Sequence, residues 1–187
     1  MYPLGRQFEV DYTRAKSDEK TFVRGSNFRI TVITERIVRL EYSPSGMFVD
    51  RPTELVVRRN LGYPEFQVKQ DAQFLFITTK YFQLTYVKKQ PFVGTKVDPM
   101  KNLKITLVSR ERDRNKDWYY GHPEARNMMG NFIGVDVSTD KNLCRGLYSL
   151  DGFASIDDSK NKVIMEDGTV ADPPSDHTDI YVFMYDR

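Results

Sequence analysis

The sequence holds a single cysteine, Cys144, in 187 residues. No internal disulfide can form, and a reducing compartment is compatible with the chain. Beside Leu143 that thiol reads as a small apolar filler rather than as a catalytic nucleophile. Histidine is nearly as scarce: His122 and His177 are the only two, and neither has a second ligand at metal spacing. No metal and no cofactor are therefore expected. Long apolar runs are missing too. No stretch approaches the ~20 apolar residues of a membrane span. Met1 to Asp11 carry neither an apolar core segment nor a small-residue cleavage site. A soluble, cytoplasmic protein with no membrane partner is the expectation. Nor is one sign of charge in excess: 28 Lys and Arg face 26 Asp and Glu, a formal net charge of +2. That balance is too even for a chain built to coat a nucleic acid. No Gly-rich phosphate loop, nucleophile elbow or EF-hand order occurs. The acidic stretch from Asp172 to Asp179 reads as a solvated loop rather than a calcium site.

What is present is globular: 40% hydrophobic residues, 13% of all residues aromatic, and length enough for a real core. The recurring signal has period two. Phe28, Ile30 and Val32 alternate with Arg29 and Thr31; after a turn at Thr34-Glu35-Arg36, Val38, Leu40 and Tyr42 alternate with Arg39 and Glu41. This predicts a hairpin with one apolar face. Ser43-Pro44-Ser45-Gly46 ends it. Phe66 and Val68 start another extended segment. Phe74 and Phe76 with Leu75 and Ile77 are apolar on both parities, which predicts a strand buried on both faces. Phe82, Leu84 and Tyr86, then Leu103, Ile105 and Leu107, return to clean alternation. Loops are expected over 88–100, which contains Pro91, Gly94 and Pro99, and over the mixed-charge run 110–117. Val163-Ile164-Met165 and Asp167-Gly168-Thr169 read as a strand and a turn.

No segment sustains a helical apolar period. The expectation is an all-β antiparallel sandwich, with strands near 28–33, 37–42, 74–79, 81–87, 103–108 and 179–185. Phe28, Ile30, Val38, Leu40, Leu84 and Ile105 should face its core. Residues 1–26 read as a polar lead-in and 27–187 as the sandwich domain. Two groups invite functional readings. Asp50-Arg51 is either a ligand-binding pair or, more commonly, a pair that fixes a loop. Trp118-Tyr119-Tyr120, with His122 close behind, either stacks on sugar rings or closes a core.

The most informative stretch runs from Gly146 to Ser159: Gly-Leu-Tyr-Ser-Leu-Asp-Gly-Phe-Ala-Ser-Ile-Asp-Asp-Ser. An Asp-Gly turn signal sits between short apolar segments, and a second acidic turn follows. This stretch resembles the run Gly-Leu-x-Ser-Arg-Asp-Gly-Trp-x-x-x-Asp-Asp-Ser at the end of the N-terminal domain in glycoside hydrolase family 31, the α-glucosidase and α-xylosidase family. Leu150 stands where that run has Arg, and Phe153 where it has Trp. Phe48-Val49-Asp50-Arg51-Pro52-Thr53, after a strand ending in Glu-Tyr-Ser, is similar to the same domain, and the likeness extends over 27–186 with variable strength.

The resemblance implies a galactose mutarotase-like sandwich that packs on a catalytic (β/α)₈ barrel and lends a loop to its oligosaccharide pocket. Retaining hydrolysis needs two carboxylates about 5 Å apart. The family takes both from the barrel, which alone needs roughly 250 residues. Nothing here matches the family's nucleophile motif, so no catalytic residue is expected and this chain alone should be inactive. It stops where the barrel would start, which reads as an excised N-terminal domain of a retaining α-glycosidase. Its expected partners are that barrel and an α-linked oligosaccharide. An apolar face left by the barrel would also permit a homo-oligomer. Asp151, binding sugar hydroxyls, and Phe153, as an apolar wall for a sugar face, are the implied substrate-binding residues; alternatively, Asp151-Gly152 simply makes a tight turn. A stand-alone carbohydrate-binding or mutarotase-like sandwich is the other reading.

Overall fold

A computed structural model describes residues 9–93, 102–108, 116–129 and 145–185. Cys144, Gly94, Pro99 and the bulk of the run 110–117 lie outside them. The described strands are β1 (Phe22–Arg24), β2 (Phe28–Thr34), β3 (Ile37–Tyr42), β4 (Gln67–Gln70), β5 (Phe74–Thr78), β6 (Phe82–Val87), β7 (Leu103–Leu107), β8 (Lys116–Tyr119), β9 (Phe153–Asp157), β10 (Val163–Ile164), β11 (Val170–Ala171) and β12 (Thr178–Met184). Two five-stranded sheets, in the orders β1-β2-β3-β12-β9 and β4-β5-β6-β7-β8, and a small β10-β11 ribbon make an all-β antiparallel sandwich. The described helical content is two single 3-10 turns, Tyr12–Arg14 and Glu19–Thr21. No helix among the described residues is long and apolar enough to cross a membrane. The six predicted strands are present to within about a residue or two at each end, and all six predicted core residues are buried.

The chain falls into two compact units. The first comprises Met1–Thr34, Arg39–Pro64 and Asp157–Ile180. Here the polar lead-in ends in structure, because Phe22-Val23-Arg24 pairs antiparallel with Thr31-Ile30-Arg29. Three residues are too few to announce a strand by period. The expectation of a single apolar face on the hairpin is also corrected. Phe28, Ile30 and Val32 are buried as predicted, but so are Arg29, Thr31, Arg39 and Glu41 on the other parity.

Complementary charge makes that second burial affordable. Arg29 grips Glu41 bidentately, Nε to Oε2 at 2.6 Å and Nη2 to Oε1 at 2.8 Å, and its Nη1 reaches Asp50 at 2.6 Å. Arg39 grips Asp179 in the same way, at 2.8 and 2.6 Å, and its Nη2 lies 3.1 Å from Glu41. Phe22 and Phe48 flank the Arg29 guanidinium at 5.5 and 5.0 Å. Burial opposes the Arg29 charge, but the bonds and charge of Glu41 outweigh it, so its pKa is raised above the ordinary arginine value. Asp50 and Arg51 do not pair with each other: Asp50 meets Arg29 and Lys16, while Arg51 meets Glu166. Asp158 is buried rather than a solvated turn residue. It accepts from Thr53 at 2.8 Å and Asn161 at 2.9 Å, and its backbone N–H donates to the Asp179 carbonyl at 2.8 Å.

The second unit comprises Glu35–Val38, Glu65–Ile156 and Tyr181–Arg187, and it holds the whole β4-to-β8 sheet. Register puts Val68, Ile77, Leu84, Ile105 and Trp118 in one row and Lys69, Phe76, Thr85, Lys104 and Tyr119 in the row of opposite parity. From Ile77 to Trp118 the first row is buried in the core, while Val68 on the edge strand is exposed. Strand β5 is therefore buried on one face only: Leu75 and Ile77 are inside, whereas Phe76 is 40% exposed and stacks on Phe74 at 5.9 Å. Its aromatic outer face shields itself by stacking, which alternation cannot distinguish from a covered face. Lys116 and Asp117 also depart from the expected loop. They begin β8, where Asp117 accepts from Thr106 at 2.7 Å. Trp118 and Tyr119 are buried and close the core, the second of the two readings open for them.

Removing one member of a buried ion network strands the charge left behind, at roughly 3–5 kcal/mol. Arg39→Met should therefore destabilise by that amount in urea unfolding, and Leu40→Ala by about 2–5 kcal/mol. Phe76→Thr on the exposed row should stay within about 1 kcal/mol. An Arg39→Met loss no larger than that of Phe76→Thr would show that the network contributes nothing to stability.

Candidate functional site

The Asp151-Gly152 pair makes a tight turn, and the surrounding residues fix it from several sides. Gly152 N–H donates to the Ser149 carbonyl at 3.3 Å, closing the turn, and Ser149 Oγ accepts from Asp151 N–H at 3.1 Å. Gly152 has φ +81°, and a Cβ there would lie 2.9 Å from the Tyr185 carbonyl oxygen and 3.0 Å from Leu107. No other residue fits that position without strain. Tyr185 holds the turn again: its N–H donates to the Gly152 carbonyl at 2.8 Å, and its hydroxyl accepts closely from Ser149 N–H. Burial is the main reason its phenol pKa is raised, which keeps the hydroxyl protonated. On the other flank Ser149 bridges antiparallel to Asn127. Met128 N–H to Tyr148 O at 2.8 Å and Leu150 N–H to Arg126 O at 3.0 Å complete this short ladder.

Asp151 is the predicted binding residue that reaches the surface. Its side chain is 20% exposed, and Oδ1 lies 3.3 Å from Arg126 Nη1. Oδ2 takes no hydrogen bond among the described residues. The ladder brings Arg126 to the carboxylate from the neighbouring segment. Phe153 is placed differently. It is 2% exposed at the start of β9, with its ring edge-on to His122 at 5.0 Å, and it presents no face to solvent. The exposed apolar groups around the turn are instead Leu147, Tyr148, Leu150, Met128 and Met129.

Beneath the turn sits a polar cluster that the sequence does not announce. Glu124, buried and at φ +48°, receives Trp118 Nε1–H at 3.3 Å, Asn127 Nδ2–H at 3.3 Å and a close Ser155 hydroxyl. Asn127 uses both ends of its amide. Nδ2 donates to Gly146 O at 2.9 Å, and Oδ1 accepts from Gly146 N at 3.0 Å and Met129 N at 2.9 Å. Glu124 N–H donates to His122 Nδ1 at 2.9 Å. A backbone N–H can only donate, so Nδ1 must carry its lone pair and His122 must be neutral here. Burial lowers its pKa accordingly, against the raising charges of Glu124 and Asp151. No motif or period connects Glu124, Arg126 and Tyr185 to this site in the sequence, and Tyr148 and Ser155, though inside the Gly146–Ser159 stretch, carry no signal that singles them out within it. The other histidine, His177, has Nδ1 2.8 Å from the Pro174 carbonyl, which fixes that nitrogen as its donor.

Compared with known proteins, the chain matches no family model and no curated protein.

Neutral His122 has a signed consequence. Its folded pKa lies below the unfolded value of about 6.5, so below that pH the unfolded chain takes up a proton that the folded chain refuses. The stabilisation is complete above about pH 6.5 and is lost as pH falls through the interval below it. The unfolding midpoint should therefore drop between about pH 7.5 and pH 5.5. His122→Gln keeps an acceptor without a titrating group and should flatten that drop. An equal slope in wild type and variant would remove His122 as its cause.

Proposed function

We propose that this chain is the non-catalytic N-terminal sandwich domain of a retaining α-glycosidase of the family 31 type, acting on α-linked oligosaccharides. In this reading the sandwich is mutarotase-like, packs on a catalytic barrel and lends the Ser149–Gly152 turn to the substrate pocket. The observation that carries it is the Asp151 carboxylate, held at the surface on a turn fixed from several sides, with one oxygen braced by Arg126 and the other without a hydrogen bond among the described residues. An ionised carboxylate oxygen accepts hydroxyl hydrogen bonds, each worth about 1.5–3 kcal/mol because the acceptor is charged. The exposed collar of Leu147, Tyr148, Leu150, Met128 and Met129 suits a surface that another domain covers in part. A cytoplasmic location belongs to the same proposal.

The test is Asp151→Asn in the polypeptide that joins this domain to its barrel. That change keeps shape and turn propensity and removes the charge. The expected result is a fall in kcat/KM for a maltooligosaccharide of roughly ten-fold or more, with Tm little changed. The purified 187-residue chain alone should release no nitrophenol from a nitrophenyl α-glucoside. Unchanged kinetics in Asp151→Asn would leave Asp151 as a turn residue, and steady turnover by the isolated chain would refute the non-catalytic assignment.

A further inference from the structure

We infer that Tyr148 is the ring-stacking residue, and Arg126 the positioning residue, of a neutral-sugar subsite built on the Asp151 turn. This rests on the glycosidase-domain reading above and names the residues that would meet the sugar. Tyr148 is 77% exposed, the most exposed large hydrophobic side chain among the described residues. Such a ring normally turns inward or is tied down. Tyr63, the next most exposed, is tied through its hydroxyl to Asp18 at 2.8 Å. The Tyr148 hydroxyl has no such bond among the described residues. Its backbone is nevertheless fixed, since its carbonyl accepts from Met128 N–H within the ladder. Its ring lies 6.4 Å from that of Tyr185, which clamps the same turn. The result is an aromatic platform that is anchored at its base and, among the described residues, uncovered above.

Three residues on, Asp151 offers the open Oδ2 acceptor. From the facing segment Arg126, half exposed, donates from Nη1 to Asp151 Oδ1, and its other N–H groups have no hydrogen bond among the described residues. A flat apolar face, an anionic acceptor and a planar donor thus share one rigid turn. A neutral pyranose has the matching chemistry: a flat face of C–H bonds and a rim of hydroxyls that both donate and accept. A phosphate or other anion does not, because Asp151 neutralises Arg126 and presents its own negative oxygen. Phe153, the aromatic residue that the sequence nominates, is sealed in the core, and Tyr148 takes the role in its place.

The experiment titrates maltotriose into the 187-residue chain and follows amide shifts by two-dimensional NMR, with the spectrum of each variant reporting that it is folded. Wild type should show saturable shifts centred on 147–152. Tyr148→Ala should weaken Kd by about ten-fold or more, and Tyr148→Trp should keep it within about three-fold. Arg126→Gln should weaken Kd by about three-fold to ten-fold, with Arg126→Lys recovering most of the loss. Recovery by a second cation separates positioning of the carboxylate from a merely structural role. If Asp151→Asn weakens binding while Tyr148→Ala does not, the stacking inference falls and the Asp151 reading stands. Equal weakening by Arg126→Gln and Arg126→Lys overturns the positioning role. A wild-type chain showing no shifts with maltotriose overturns the subsite itself.

Discussion

Two arginines buried on one strand-pair face govern the first unit, because a desolvated guanidinium is tolerable only where carboxylates meet its whole fork. Arg29 and Arg39 draw in Glu41 from β3, Asp50 from the following loop and Asp179 from β12. Replacing such a network by hydrophobic residues is often neutral or favourable, whereas breaking it is not. Its contribution is therefore better described as specification. A one-residue slip of β3 would turn Arg39 and Glu41 to the opposite face, take Glu41 from Arg29 and Arg39 from Asp179, and set Val38 and Leu40 on the charged face. Such a slip fails on both faces at once. The apolar pattern alone would penalise only one.

The Asp151 turn follows a different principle, in which the backbone makes the fixed points and side chains supply what is presented. Gly152 is confined by Tyr185 and Leu107, and Ser149 is held between Asn127 and the Tyr185 hydroxyl. Glu124, in a left-handed conformation that a non-glycine residue adopts at a cost, is retained by Trp118, Ser155, Asn127 and His122 together. Hydrogen-bond donors and acceptors in this layer are almost wholly occupied with one another. Among the described residues, that leaves the exposed edge of the turn, Tyr148 and Asp151 with Arg126, as the part with unused hydrogen-bonding groups.

The strands were legible because alternation is a property of the local chain. Phe28, Ile30, Val38, Leu40, Leu84 and Ile105 all point inward as their parity requires. Whether the opposite parity is also covered is not a local property. Arg29 and Arg39 look like solvent-facing strand residues until Asp179, 140 positions from Arg39, is seen against them. Phe76 shows the converse, an aromatic residue that stays outside. At the site, Asp-Gly announced the turn, but Arg126 and Tyr185 reach it from 25 and 36 positions away. Phe153 was nominated by its neighbours in sequence. It opens β9, whose first two residues, Phe153 and Ala154, are both buried.

The Arg39–Asp179 pair also bears on how the chain can assemble while it is being made. The first unit is stitched from three separate segments, the last of which is Asp157–Ile180. The Tyr12 hydroxyl likewise waits for the Met165 carbonyl, 153 positions on. Contacts of such long range are slow to form, because loop closure must be met before they reward it. With synthesis at about 5–20 residues per second, β2 and β3 leave the ribosome several seconds before their charge partner exists. Until then Arg39 has only Glu41, which Arg29 also grips, to meet its charge, so burying it early is costly. Its hairpin stays hydrated and charged, which keeps an unfinished apolar face from collapsing onto the wrong neighbour. The pair that fixes register in the finished fold thereby ties closure of the first unit to the arrival of its last segment.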